Sequence, residues 1–341
     1  MNRLVYISRN YRNRLSAGNK AKSDYEDIAA SLGARNLGLS RSYGGNKIIG
    51  FLLNLAGIVK ASLLLRRGDL LFLQYPVKKY FTFLCRIARL RGAETIALIH
   101  DLGSCRRKKL SVEQEIRRLS HADHIIATNQ RMASWLREHG LKGDIGALGL
   151  HDYLSPAPLP KQLQPTSDGH VRVVYAGSLS MKKNAFFVKL SQELKDFRLV
   201  VYGNRDGLTG LAENPCIEWH GFLESDEFIQ TVSADFGLVW DGDNMNTCSG
   251  DWGEYLRLNT PHKASFYLRA GLPLIVWRDS AIAPIIEKEG IGFAISSLSE
   301  IPQQLKSMSS ADLQQMKQRA TRMAERINEG HFLSQALSSI H

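Results

Sequence analysis

At 341 residues the chain exceeds the usual range for one domain and suggests two of comparable size. An apolar share of 44% and a charged share of 23% are those of an ordinary soluble globular protein, and four scattered cysteines with no C-x-x-C pair exclude a disulfide frame or zinc site in favour of free thiols. The net charge of +11 is uneven: residues 1–160 hold 26 Lys and Arg against 12 Asp and Glu, a balance of +14, and the remainder 18 against 21, or −3. That asymmetry points to an anionic partner for the first half, whether membrane surface, phosphorylated lipid or nucleic acid. The last has no support, since no RNP, helix-turn-helix or aromatic-interleaved basic motif is visible.

Residues 4–8 (LVYIS) read as a first strand with no signal-peptide h-region before it. The loop 9–20, RNYRNRLSAGNK, is basic and carries Gly18, Asn19 and Lys20 ahead of a helix over 21–32. A donor-rich loop after a first strand can wrap an anion or a sugar, and equally serves as a plain βα connection. Residues 48–65 are the most apolar run, interrupted by Asn54, Lys60 and Ser62 and closed by Arg66-Arg67. A span needs roughly 20 nearly uninterrupted apolar residues, so a buried helix is expected, with a helix leaning on a bilayer as the alternative.

Strand-length apolar runs follow at 69–74 and 94–99, each leading through a polar turn into helical material, and 124–128 and 144–148 add further strands. This alternation marks a parallel, doubly wound sheet, which places function at the carboxyl ends of strands. Tyr75, His100, Asp101 and Asn129 stand there, and His100-Asp101 could supply a general base.

Residues 150–170, with Pro156, Pro158, Pro160 and Pro165, read as a linker. The rhythm then restarts: a strand over 171–175 ending at Ala176-Gly177-Ser178, a helix over 184–194, a strand over 198–202 ending at Gly203-Asn204, and another over 216–220. The central feature is 235–277, two short strands (236–240 and 274–277) around a polar, Gly-rich excursion that leads into Asn259-Thr260-Pro261-His262-Lys263. Pro261 suits the first turn of a helix, which should stop at Gly271-Leu-Pro273. A His and a Lys thus arrive at a helix N-terminus beside a strand end, where free N–H groups and the helix dipole favour a phosphorylated ligand. A strand over 291–295 and helices over 312–326 and 331–340 complete the chain. Two Rossmann-like units, 1–160 and 161–325, with a C-terminal helix over 326–341, are the predicted architecture, and a cleft between such domains is a natural ligand site.

The order of signals in the second half resembles the GT-B glycosyltransferases: YAGSLSMKKN (175–184), VVYGN (200–204), WHGF (219–222), ADFGLVW (234–240) and PHKASFYLRAGLP (261–273). WDGD, TCSG, GEYL and N-x-PHK, with AGNKAKSD (17–24) and LIHDLGS (98–104), are similar to a bacterial group of β-1,6-galactofuranosyltransferases and adhesin-glycan glucosyltransferases, and the likeness spans the chain. It implies a GT-B fold, two Rossmann-like domains facing a central cleft with C-terminal helices packing back toward the first. It also implies transfer of a hexose, galactofuranose before glucose, from a UDP-sugar to a glycan hydroxyl, with inversion, in cell-surface polysaccharide or glycoprotein glycan synthesis.

The first domain would bind the acceptor, with Gly18, Asn19, Lys20 and Tyr75 on it and Asp101 or His100 as base. The second would hold the donor: Asn259, His262 and Lys263 on the diphosphate, Gly177 and Ser178 at its backbone with Lys182 or Lys183 nearby, and Tyr202 and Gly203 by uracil and ribose. Many retaining GT-B enzymes place Glu three residues after the motif lysine; Phe266 stands there, so Glu254 is the substitute, with Asp241 for sugar hydroxyls or ribose. No cofactor or metal is expected. A lipid-linked acceptor, a site at the inner face of the cell membrane and a homo-oligomer are all compatible with this reading. Three rivals remain: Asp241-Gly-Asp243 as a metal-binding D-x-D, an epimerase or hydrolase of the same fold, and a non-catalytic partner subunit.

Overall fold

The computed structural model describes residues 3–11, 13, 16–76, 80–159 and 170–340. Its contacts divide the chain into one unit of residues 1–152 and 330–341 and a second of 153–329. The divisions thus fall at 152/153 and 329/330, rather than at 160/161 and 325/326. The 160/161 boundary, most of the Pro-rich linker and residues 12, 14 and 15 of the basic loop lie outside the described residues.

The first unit runs β1 (Arg3–Tyr6), β2 (Asn10–Tyr11), α1 (Ala17–Ser31), β3 (Arg35–Asn36), β4 (Ser42–Tyr43), α2 (Lys47–Leu64), β5 (Asp69–Tyr75), α3 (Phe81–Leu90), β6 (Glu94–Ile99), α4 (Gly103–Arg106), α5 (Val112–Leu119), β7 (His124–Ala127), α6 (Gln130–Glu138) and β8 (Asp144–Ala147). Its main sheet is parallel in the order β3-β1-β5-β6-β7-β8, and β2 pairs separately with β4. The runs LLFLQY and TIALI are buried nearly throughout because helices cover both faces of such a sheet. Sharp N-caps set the helix starts: Ser111 and Gln114 form a capping box on α5, and Asn129 accepts from Met132 N on α6. Asn129 is therefore spent on a cap.

Two expectations for this unit change. Gly18, Asn19 and Lys20 belong to the first turn of α1, since the helix begins at Ala17 and not at 21. The 48–65 run is a helix, but only Gly50, Gly57, Ile58 and Ala61 of α2 are buried, and Ile48, Ile49, Phe51, Leu52, Val59 and Leu63 are exposed. An all-round apolar helix has no periodic signal to tell which face packs, and here only one does.

The second unit runs β9 (Arg172–Ala176), α7 (Met181–Asn184), α8 (Phe186–Glu193), β10 (Arg198–Tyr202), β11 (Ile217–Gly221), α9 (Ser225–Thr231), β12 (Phe236–Val239), α10 (Gly250–Glu254), α11 (His262–Arg269), β13 (Leu274–Trp277), α12 (Ala283–Glu289), β14 (Gly292–Ile295), α13 (Ile301–Ser307) and α14 (Ser310–Asn328). Its sheet is again all parallel, in the order β11-β10-β9-β12-β13-β14. The chain builds outward from β9 in one direction and from β12 in the other, so the topological switch lies between these two strands. Trp240, Trp277, Phe186, Phe187 and Phe236 fill the core around them.

The last helix, α15 (His331–Ser338), belongs to the first unit, where it packs on α1. The Asp152 carboxylate accepts from Phe332 N and Leu333 N at 3.0 and 2.7 Å, satisfying the helix's leading N–H groups. Burial pushes the Asp152 pKa up to about 7 against those bonds. Of the C-terminal helices, α15 alone returns; α14 stays in the second unit.

Candidate active site at the strand ends of the second unit

The switch between β9 and β12 opens at their carboxyl ends, and there the chain places Tyr175, the last buried side chain but one of β9, and Asp241, just after β12. A tight loop fixes Asp241. Gly242 has φ +129, and a Cβ on it would lie 2.7 Å from Ser249 N and O, so only glycine fits. Phe186 N bonds back to Gly242 O, and Met245 and Cys248 anchor the excursion in the core.

Lys263 enters from the first turn of α11, whose N-cap is Pro261. The helix ends as the sequence implies, with Ala270 as C-cap and Gly271 at φ +74. Lys263 Nζ donates to the Tyr175 hydroxyl at 2.7 Å and to Asp241 Oδ1 at 3.1 Å, lying 4.0 Å from the Tyr175 ring centroid. Tyr175 in turn donates to Asp241 Oδ1 at 2.9 Å, and its oxygen also accepts from Asn184 Nδ2. Lys183 Nζ stands 3.8 Å from the same carboxylate oxygen. One carboxylate thus faces two ammonium groups. Burial lowers the Lys263 pKa to about 7, Asp241 opposing and Lys183 adding to the shift. Burial and Asp241 hold the Tyr175 hydroxyl well above its ordinary value. A cluster with more cation than anion, set at a helix N-terminus, is built to take a further anion.

The strand ends around it are held by backbone contacts. The Tyr267 hydroxyl accepts from Ala176 N at 2.6 Å and donates to Ala176 O at 3.2 Å, pinning the end of β9. A Cβ on Gly203 would sit 2.3 Å from Gly177 O, so this glycine serves the close approach of two loops. Gly177 is different: it is exposed, and a Cβ there would meet nothing within 4 Å. Its backbone and the exposed Ser178 can therefore be approached by a ligand. Asn259 keeps a buried Oδ1 without a hydrogen-bond partner, while its N–H bonds Tyr255 O. His262 opens α11 with its ring 5.1 Å from that of Tyr153, and Tyr202 stacks on His220 at 5.0 Å.

The structure therefore joins Asp241 and Lys263 directly and ranges Gly177, Ser178, Tyr202 and Gly203 along the neighbouring strand ends β9 and β10. Two donor-side expectations shift. Lys182 is exposed, and its neighbour Lys183 faces Asp241, because one helical step turns one lysine in and the other out. Glu254 is exposed and paired with Arg257 at 2.9 Å, an arginine also held by Asp279 and the Trp277 ring; it does not join Lys263. The D-x-D carboxylates also part ways: Asp241 is buried among Tyr175 and Lys263, while Asp243 is exposed and accepts from Ser249 Oγ. Among the described residues no group of three or more His, Cys, Asp or Glu could hold a metal ion. Sequence reasoning missed Tyr175, Asn184 and Tyr267; only the position of Tyr175 at a strand end could have signalled it.

In the first unit, His100 directly follows β6, with Nε2 2.8 Å from Gln74 Oε1 and its ring stacked on His151, which meets the Tyr25 hydroxyl at 2.7 Å. Asp101 pairs with Arg106, and burial raises its pKa against that cation. Tyr75 is fully buried and donates to Glu115 Oε1 at 2.8 Å, so it cannot meet an acceptor there. Glu115 also takes Gly103 N and Ser104 N, which makes this pair the support of the 100–106 turn. On α1, Gly18 is exposed, Asn19 donates to Asn13 O, and Lys20 pairs with Asp24.

The two halves match two family models, the glucosyltransferase 3-like N-terminal domain over residues 4–150 and the glucosyltransferase 3-like C-terminal domain over 173–340. The chain is 30% identical over 336 residues to beta-1,6-galactofuranosyltransferase WbbI of Escherichia coli (strain K12), covering 96% of this chain and 95% of that one. It is 26% identical over 322 residues to glucosyltransferase 3 of Streptococcus parasanguinis, covering 89% and 88%. Among solved structures, Anabaena Alr3699/HepE in complex with UDP superposes with a TM-score of 0.65 at 12% identity, covering 99% of this chain and 100% of that one. The glycosyltransferase WaaG of lipopolysaccharide biosynthesis superposes with a TM-score of 0.57 at 12% identity over 99% of each chain. The fold is that of the GT-B glycosyltransferases.

Proposed function

The chain belongs to the glucosyltransferase 3-like family of glycosyltransferases, and from that premise we propose that it moves a hexosyl group from a UDP-sugar to a glycan hydroxyl with inversion. The observation that carries the donor side is the Lys263–Asp241–Tyr175 cluster at the β9/β12 switch. Lys263, Lys183 and the N-terminus of α11 are the groups that take the diphosphate, with Asn259 and His262 on the same approach. The exposed Gly177 and Ser178 let it reach backbone N–H groups, and Tyr202 offers an aromatic face for the nucleoside. UDP bound to the HepE structure, which shares this fold, supports the nucleotide.

In the reaction the acceptor oxygen bonds to the anomeric carbon as the bond from that carbon to the diphosphate oxygen breaks. The bonding pair leaves on the diphosphate, whose growing charge the two lysines offset. The hydroxyl proton passes to the Asp101 carboxylate, which burial makes a stronger base than an exposed one. Galactofuranose is the favoured sugar because the galactofuranosyltransferase relative is matched over 96% of the chain at 30% identity. Glucose is second, on the likeness to glucosyltransferase 3.

The test is transfer by the purified chain from a panel of UDP-sugars to octyl glycosides, with the product linkage read by NMR. Turnover of UDP-galactofuranose to a β-linked product supports the proposal; acceptor-independent breakdown or epimerisation of the donor overturns it. Transfer is expected to survive EDTA, because the cations facing the diphosphate are lysines; loss of activity restored by Mn²⁺ would refute that part.

A further inference from the structure

The feature that the donor site does not use is the outer face of α2. The helix is attached by one side: Gly50, Gly57, Ile58 and Ala61 are buried, Asn54 Oδ1 accepts from Asn10 N at 2.9 Å, and Lys60 Nζ donates to Gly38 O at 2.9 Å. A Cβ on Gly57 would already touch Leu39 N at 3.4 Å. The opposite side carries Ile48, Leu52, Leu55, Val59 and Leu63, one stripe at helical spacing, with Ile48 69% and Leu63 67% exposed. On α3, which is in contact with α2, Phe83 and Leu90 are exposed as well, Leu90 by 81%. Five exposed apolar side chains in one row on a single helix are more than the singly scattered hydrophobes of an ordinary surface.

Charge decides what covers it. Neither α2 nor α3 contains an Asp or Glu; exposed Lys47 and exposed Arg66-Arg67 stand at the two ends of α2, and Arg86 and Arg91 are exposed on α3 and at its end. A second copy docked by the same face would set arginines against arginines. An anionic bilayer surface supplies acyl chains to the stripe and phosphates to its rim. Nor can α2 leave its unit to span: by length and composition it could cross a membrane, yet links of three residues (44–46) and four residues (65–68) tie it to β4 and β5. We propose that the exposed face of α2 lies in the lipid–water interface of an anionic membrane, arginines to the headgroups, as a monotopic attachment of the first unit.

The test is flotation of the full-length protein with phosphatidylcholine vesicles and with vesicles that also contain phosphatidylglycerol. The wild type is expected to float with the anionic vesicles and to be released by high salt in part only. Leu52→Glu/Leu55→Glu should lower partitioning at least about tenfold, with an unchanged melting transition. Arg66→Ser/Arg67→Ser should remove the preference for anionic lipid while retaining residual binding. Absence of wild-type flotation, or equal flotation of the leucine variant, overturns the proposal. So does light scattering that shows a dimer made monomeric by Leu52→Glu/Leu55→Glu without vesicle binding, which would assign the face to a second copy. The experiment uses no donor sugar, so its outcome is independent of the transfer assay.

Discussion

Lys263 gives the sharpest test of the donor site. It is 11% exposed, and burial brings its pKa to about 7 in the ligand-free protein. A diphosphate within hydrogen-bonding distance adds negative charge and drives that pKa back up toward or beyond the ordinary lysine value. The sign follows: at pH 6 both free and bound forms carry the proton, and above pH 7 the free form loses it while the complex retains it. Binding must then take up a proton, so affinity falls as pH rises. From pH 7 to pH 9 the charged fraction drops from about one half to about one hundredth, a loss of roughly 50-fold in affinity or about 2 kcal/mol. UDP's own last phosphate ionisation, near pH 6, is complete across this range and does not contribute. Calorimetry of UDP binding in buffers of different ionisation enthalpy reads both the affinity and the protons taken up, expected to approach one per UDP by pH 9. Lys263→Met should bind weakly with no slope over the same range. A flat wild-type profile without proton uptake, or the same slope in Lys263→Met, would show that Lys263 does not meet the diphosphate.

Other consequences are as direct. Asp101→Asn keeps size but cannot take a proton, so kcat should fall by about 10²-fold or more while UDP affinity stays at the wild-type value; a change in UDP affinity alone would place Asp101 elsewhere. Gly242→Ala puts a Cβ 2.7 Å from Ser249 N and O at φ +129 and should cost about 1–3 kcal/mol, read as a lower melting temperature, with donor binding weakened because Asp241 moves. Tyr75→Phe leaves the buried Glu115 short of one donor and should cost about 1–3 kcal/mol of stability, with no direct effect on acceptor KM. An acceptor KM raised tenfold in a fully folded Tyr75→Phe protein would contradict the buried placement.

The order of strand, turn and helix in both halves is legible in the sequence, because buried parallel strands are nearly continuous apolar runs and Gly271-Leu-Pro273 stops a helix by local backbone chemistry. So is the placement of Lys263 at a helix start beside a strand end, since Pro261 and the following helix determine it within a few residues. What sequence could not decide depends on which way a side chain turns. Of the adjacent Lys182 and Lys183 only the second faces Asp241, and of Asp241, Asp243 and Glu254 only the first is buried with the lysine. Tyr75 sits at a strand end, yet Glu115, forty residues away, draws its hydroxyl inward. The partnership of Tyr175 with Lys263 spans 88 residues and exists only once β9 and β12 lie side by side. The apolar run of α2 carries no information about which face is covered, because every face is apolar; only the packing of Gly57 against Leu39 and the bonds of Asn54 and Lys60 chose one side and left the other open.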